Sequence, residues 1–587
     1  MKHHKRITGV GVIAIGLSIL VSGLPGFAPK AAKPQAELTK FSRYIDADLI
    51  RVGISDNGMT TWEYPETQIS ATGPFTVRDQ ASGNTLLTCQ EGQRLNITAS
   101  AAGLTVNGNK PVQGPISIIP AGPDTRLKIL NITRRGEIPE YRGTLEVLRG
   151  ASSPNKLTVV NVVELEDYLK AVVPNELPMR YGLEAVKAQA IAARNYAIRP
   201  REKPWKVFDI CDSQLCQVYF GAQSETPGSN QAIADTEGLV GLYDGEPILA
   251  LFSSSHGGFA EAYSNAFSDP KTKQYPAPPI PYLVGGPDMP EQVDRDLSSE
   301  EAARKFWTDA KAPSFDVESP YYRWERRWNA SELQNIITQG LAKVSADSST
   351  RDFVCPLLMP GQTTGPIKDI RVLERGKSGK AMVLAIEAAN GCWTVKKEFV
   401  IRKVFSVNGR MLPSGNVVFT PTRDTRGYIS TLLVQGGGFG HGVGMSQLGA
   451  SWMSKHGSRY PEIIQHYYKG VSLGSIPLEV GGTCPNQPTY TQFGVHRPYG
   501  ILWIQDNGLS SAYSKEPVTV QLNDKLMTLT PESVRTAADV REYLKPGALN
   551  TLVLFPDLKK PERRLKAWIE LYPPKSEDLA KVSQRGR

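Results

Sequence analysis

Apolar and polar residues alternate in short runs from about Asp46 to Asn161, as in Leu49-Ile50-Arg51-Val52-Gly53-Ile54, Leu145-Glu146-Val147-Leu148 and Leu157-Thr158-Val159-Val160, with Gly, Asn and Pro between them. A period of two bounded by turn formers predicts strands. The period then changes. Leu165, Tyr168, Leu169 and Val172 fall at i, i+3, i+4 and i+7, one face of a helix expected to stop before Pro174, because proline disfavours helical backbone in the residue before it. A second helix follows Pro178, with Leu183, Val186, Ala190, Ala193 and Ala197 on its apolar face and alanines that permit close packing. Strand-like stretches return between about Leu239 and Phe267. Around Glu300 to Ala310 and Ser331 to Val344, two candidate helices predict a helical insertion near 300–350, and Ile367 to Val434 reads as β-rich. Two more helices are expected over Gly444 to His456 and Pro461 to Lys469, with Gly457 and Gly470 where helices commonly end. Alternation resumes from 490 to 575.

These patterns predict an α+β architecture: a β-rich amino-terminal part over 41–155, a central α+β domain over 156–478, and a small β-rich carboxy-terminal module over 488–575. A chain of 587 residues also exceeds what one hydrophobic core organises. Residues 1–40 read as a signal peptide or anchor plus a linker. Lys2, Lys5 and Arg6 precede an apolar stretch from Ile7 to Ala28, so the protein is expected to be exported to the periplasm or cell wall, with membrane attachment only if that stretch stays uncut. The formal net charge of +9 suits a polyanionic surface as well as an ordinary basic one. Neither G-x-G-x-x-G nor G-x-x-x-x-G-K-[ST] can be laid on the chain's glycine-rich segment, which with the export signal argues against a nucleic-acid or nucleotide protein.

Four segments carry candidate chemistry. In Val173-Pro174-Asn175-Glu176-Leu177-Pro178 a glutamate stands between two prolines beside apolar neighbours, where its pKa is expected to rise and suit a general acid. By pattern alone it also reads as an exposed Glu in a turn. Cys211 to Tyr219 is a polar loop in which Gln217 and Tyr219 are suited to hydrogen-bond and stack on a sugar. Its C-x4-C spacing fits a disulfide better than zinc, since no further Cys or His lies near, so no cofactor or metal is expected. Ser253-Ser254-Ser255-His256-Gly257-Gly258 lacks the G-x-S-x-G elbow, and His256 reads as either a ligand-facing or a turn-satisfied imidazole. Finally, Gly436 to Ala450 alternates glycines at 438, 440, 442 and 444 around His441, a density that lets a ligand approach the backbone.

In this order the segments resemble the SpoIID/LytB family of sporulation and amidase-enhancer proteins. The resemblance rests on Leu165 to Pro178, Glu184 to Ala197, Cys211 to Tyr219, Phe252 to Gly258, Leu412-Pro413-Ser414 and Gly438 to Ala450 with His466-Tyr467-Tyr468. It covers most of residues 150 to 475, with Asn195 standing where relatives more often carry Thr or Ser. The resemblance implies peptidoglycan remodelling by a lytic transglycosylase, a lyase that cuts between N-acetylmuramic acid and N-acetylglucosamine with Glu176 as its one acid and base. It further implies glycan contacts from Lys187, Arg194, Tyr196, Gln217, Tyr219, His256, His441, Gly442, Ser446 and Gln447. The alternative it implies is a non-catalytic, wall-binding activator of an N-acetylmuramoyl-alanine amidase. The expected partners are thus glycan strands and a cell-wall amidase.

Overall fold

Strand Leu157–Glu164 runs into helix α1 (Leu165–Glu176) with no residue between them, so the strand-to-helix change of period marks a real junction. The computed structural model describes residues 41–42, 45–46 and 49–575, without 200–206, 292–294, 483, 485–486, 497–499, 507–515 and 532. The expected signal segment lies outside the described residues. Among them, no helix is long and apolar enough to cross a membrane.

The chain divides into two compact units. The larger comprises residues 49–473 with the stretch from 573. Its amino-terminal part is β-rich, as the alternation predicts. A seven-stranded sheet runs in the order Ile210–Cys211, Leu49–Ile54, Leu157–Glu164, Thr144–Arg149, Ile116–Pro120, Phe75–Asp79 and Thr85–Cys89, beside a five-stranded sheet built around Glu66–Ala71. Leu157–Glu164 is central and antiparallel to both neighbours, with Val160 opposite Gly53 on one side and Glu146 on the other. Gly53 leaves room for the Phe208 ring, which would lie 2.6 Å from a Cβ there; Phe208, Val160 and Cys211 form a small core.

Helix α1 continues through Pro174 to Glu176 instead of stopping before it. Proline removes one N–H and crowds the preceding turn, but Pro174 sits in the last turn of the helix, where Val172, Val173 and Pro174 are all buried. Packing outweighs the local preference. Helix α2 (Leu183–Ile198) follows a single 3₁₀ turn and Gly182, whose φ of +103° and 2.5 Å clearance from Ser454 Oγ exclude a side chain.

The segment expected as a helical insertion holds helices Glu300–Trp307 and Ala330–Ala346, with strand Trp324–Asn329 leading directly into the second. Helix Ala330–Ala346 is capped reciprocally by Asn329 and Glu332, and it buries Leu333, Ile337, Leu341 and Val344 against Leu384, Ile386, Val395 and Leu432. Those partners belong to a four-stranded sheet (Val354–Cys355, Gly391–Lys396, Ala381–Ala388, Ile367–Arg375) and to a three-stranded one (Trp324–Asn329, Ile429–Gly436, Val417–Arg423). The helix and the β-rich stretch therefore form one core. Periodicity finds the helix but cannot tell what covers its apolar face.

The smaller unit comprises residues 1–48 and 474–572. Its described strands form a sheet of Thr489–Gly494, Leu549–Leu554, Val518–Leu522 and Lys525–Leu529, and a second grouping in which Leu565–Tyr572 pairs with Leu478–Val480 and Ile501–Asp506. Buried and half-buried residues alternate along Thr489–Gly494 and Ile501–Asp506, as expected for a β-rich module. Arg563 and Asp506, both buried, pair at 2.9 Å inside it.

Candidate functional site

Glu176 ends helix α1, and two further segments close on its carboxyl. Val218 N–H, from the loop after Cys216, donates to Glu176 Oε1 at 2.9 Å. Gln447, the first residue of helix Gln447–Lys455, brings Nε2 to 3.2 Å from Glu176 O and 3.4 Å from Oε2. The same Nε2 lies 3.4 Å from Oε1 of Gln189, a fully buried amide on α2. Burial pushes the Glu176 carboxyl up from its ordinary value, and the hydrogen bonds from Val218 and Gln447 pull weakly the other way. The side chain as a whole is only half-buried.

Each segment is fixed by its own framework. Cys211 and Cys216 are joined in a disulfide across a Cα separation of 5.6 Å. Asp212 within that loop pairs with Arg134 at 2.7 Å and accepts from Ser55 N–H at 3.1 Å, with both side chains of the ion pair essentially inaccessible. Tyr219 lies between the rings of Tyr141 and Tyr168, at 5.9 and 5.2 Å, and its hydroxyl donates to Asn161 Oδ1 at 2.6 Å. Gln217, fully buried, accepts from Tyr168 Oη at 2.9 Å. These contacts set the height at which Val218 meets Glu176.

The glycine loop and the Ser253-to-His256 segment lie side by side. Ser255 and Phe439 exchange main-chain hydrogen bonds, Phe252–Ser253 pairs in parallel with Met445–Ser446, and Ser253 Oγ accepts from Gly442 N–H at 3.2 Å. Gly438, Gly440, Gly442 and Gly444 all have positive φ. At Gly444 a Cβ would lie 1.9 Å from Leu251 O, so glycine there is a steric requirement of the fold. Ser446 caps the next helix by accepting from Gly449 N–H at 3.0 Å, which starts the helix at Gln447 rather than at Gly444. His441 Nδ1 accepts from Val443 N–H at 3.0 Å, and its imidazole is pushed down to about 3 by burial and then by its neighbours His256, Lys380 and Arg402.

Of the expected glycan contacts, Gln447 meets Glu176 directly, and Gly442 and His441 occupy the loop that leads to it. Tyr196 is half-buried with its ring 6.4 Å from that of Phe252. The others serve inside the protein. Arg194 is fully buried, grips Glu166 through two bonds of 2.7 Å and donates to Leu239 O at 2.9 Å. Lys187 pairs with Asp235 at 2.9 Å and Glu184 at 3.2 Å. Asn195 exchanges bonds of 2.8 and 2.7 Å with the Gly241 main chain, a role open to its amide. His256 is fully buried; its N–H donates to Asp316 at 2.6 Å and its Nδ1 stands 3.0 Å from Asp288, which also faces His466 at 3.3 Å. Nδ1 and Nε2 of His256 have no aligned hydrogen-bond partner among the described residues. Asp288 is held well below the usual carboxylate range: burial would raise it, but the close approach of His256 and His466 prevails. Sequence reasoning missed Val218, whose contribution is a main-chain N–H, and Gln189, whose only signal is an amide set among alanines.

Residues 153–243 match the model of the stage II sporulation protein family, and residues 270–444 match a domain of unknown function. An amidase enhancer from Bacillus subtilis is 31% identical over 321 residues, covering 52% of this chain and 40% of that protein's length. Stage II sporulation protein D of the same organism is 27% identical over 334 residues, 54% of this chain and 75% of the relative. A protein of Brachyspira hyodysenteriae is 29% identical over 339 residues, 57% and 72% of the two chains.

Proposed function

From a chain that belongs to the SpoIID/LytB family, we propose an enzyme that cleaves peptidoglycan glycan strands between N-acetylmuramic acid and N-acetylglucosamine, with Glu176 as its single acid and base. The observation that carries this reading is the meeting of Val218 and Gln447 on one carboxyl whose proton affinity burial has raised. Glu176 first gives its proton to the departing glycosidic oxygen as the bond to the muramic C1 breaks. The resulting carboxylate then takes the proton of the muramic C6 hydroxyl while that oxygen bonds to C1, closing an anhydro ring and restoring the acid. No second carboxylate is needed, in contrast to the paired carboxyls of glycoside hydrolases. The wall is reached by export through the basic and apolar amino-terminal segment.

The test is mass spectrometry of purified glycan strands, with and without stem peptides, after incubation with the protein and with Glu176→Gln. Anhydro-muramic ends from the parent and none from the variant support the assignment; ends from both remove Glu176 from it. The name of the Bacillus subtilis relative favours a second reading, a wall-bound activator of an amidase. If neither protein yields cut strands and both stimulate an added N-acetylmuramoyl-alanine amidase, the activator reading replaces the enzyme.

A further inference from the structure

Beneath the glycine loop lies a set of buried charges that cleavage by Glu176 does not use. Lys380, Glu261 and Glu398 are 0, 1 and 2% exposed, and Arg402 is 7% exposed. Arg402 is fully occupied, donating to Leu412 O at 2.9 Å and Pro413 O at 3.0 Å while pairing with Glu398 at 3.5 Å. Glu261 accepts from Ser378 Oγ and from Asn265 Nδ2, and its own N–H donates to Gly442 O at 2.7 Å. Lys380 differs. It closes the turn begun at Gly376, inside the matched region of unknown function, and its Nζ has no hydrogen-bond partner among the described residues. That Nζ would lie 3.5 Å from a Cβ on Gly442. Gly442 is thus held through its N–H by Ser253 and through its carbonyl by the Glu261 N–H, with Lys380 Nζ close to its Cα.

We propose that Lys380 is a positioning residue: its buried ammonium is the fixed charge against which Gly442 and the His441 imidazole are set, so that the loop delivers Gln447 to Glu176. The bond that must be protected is Val443 N–H to His441 Nδ1, which exists only while Nδ1 carries no proton. A proton there would set one donor against another. His441 is faced by His256, Lys380, Arg402, the Phe252 main chain and the Phe267 ring, and a positive neighbour disfavours its protonation. Lys380 is faced by Glu398, Glu261 and Arg402; the two carboxylates oppose the tendency of burial to neutralise it. The inference gives the region of unknown function a task in the site. It rests on the Glu176 reading only for its consequence on glycan cleavage.

The test follows His441 itself, by NMR of full-length protein carrying ¹³C-labelled histidine, with the His441 signal among the seven identified by His441→Gln. In Lys380→Met the midpoint of His441 titration is expected to rise by about half a pH unit or more, with faster exchange of the Val443 amide. Lys380→Arg, which keeps the charge, is expected to titrate like the parent. Lys380→Met leaves two buried carboxylates exposed to each other, so Lys380→Met with Glu398→Gln serves where the single variant does not fold; Glu398 faces Lys380 rather than His441, and the sign of the shift is retained. An unchanged His441 midpoint in either folded Met variant, or an Arg variant that behaves like Met, overturns the proposal. These readings involve no glycan, so a failed cleavage assay overturns the enzyme reading and not this one.

Discussion

Glu176 and His441 respond to pH in different windows, and each window follows from what surrounds the group. The folded chain binds a proton at Glu176 more tightly than the unfolded chain, whose carboxyl titrates near 4.5, so this group's contribution to stability falls as pH rises from below 4.5 through the raised value. Glu176→Gln is therefore expected to be at least as stable as the parent at neutral pH and to lose that advantage near pH 4, as thermal melts at both pH values will show. Under the proposed function, glycan cleavage by this variant is expected to fall by about a hundred- to ten-thousand-fold, the usual contribution of positioned proton transfer. His441 has the opposite sign. Its folded value near 3 lies below the ordinary 6.5, so the unfolded chain takes up the proton first and stability declines as pH falls from 6.5 towards 3. Denaturant titrations across that range should show the decline, and His441→Gln should flatten it.

Elements matter here as carriers of single groups to one carboxyl. The disulfide loop carries Val218, and opening it with Cys211→Ser is expected to cost about 2 kcal/mol for so short a loop, as measured by chemical unfolding. Arg134→Met should do more damage, about 3 to 5 kcal/mol, because it leaves Asp212 charged, buried and unpaired at the base of the same loop. In the glycine loop, two neighbouring glycines separate folding from function. Gly444→Ala drives a methyl group into Leu251 O and is expected to unfold the loop, whereas Gly442→Ala, at φ +73° with its nearest neighbour 3.5 Å away, costs roughly 1–2 kcal/mol of backbone strain and leaves the chain folded. Loss of glycan binding by folded Gly442→Ala, read by pull-down on isolated strands, would place the loop in the binding path; full binding would remove it.

At the scale of the molecule, the region from 270 to 444 is part of the structure that builds the loop rather than an addition to it. Helix Ala330–Ala346 supplies Leu333, Ile337, Leu341 and Val344 to a core completed by strands that run up to Gly436, where the glycine loop begins. Deleting 300–350 would expose that core, and the truncated protein is expected to be insoluble or to melt at much lower temperature than the parent, in contrast to a dispensable surface insertion. Calorimetry of the truncated chain decides between the two.

The sequence by itself determined the local grammar: strands where polarity alternates, α1 and α2 where the period lengthens, Gly457 just past the end of helix Gln447–Lys455, and a glutamate between Pro174 and Pro178. Those features are legible because period and turn chemistry act over a few residues. Only the tertiary structure decided that α1 runs through Pro174, that Arg194, Tyr219 and His256 are turned inward to protein partners, and that helix Ala330–Ala346 shares a core with the strands after it. It alone brought Val218 and Gln447, 42 and 271 residues away from Glu176 in the chain, to the same carboxyl. A main-chain N–H leaves no mark on residue identity, and a side chain's partner depends on which faces pack together. That choice is made by burying apolar surface across the whole unit, which no local window of sequence contains.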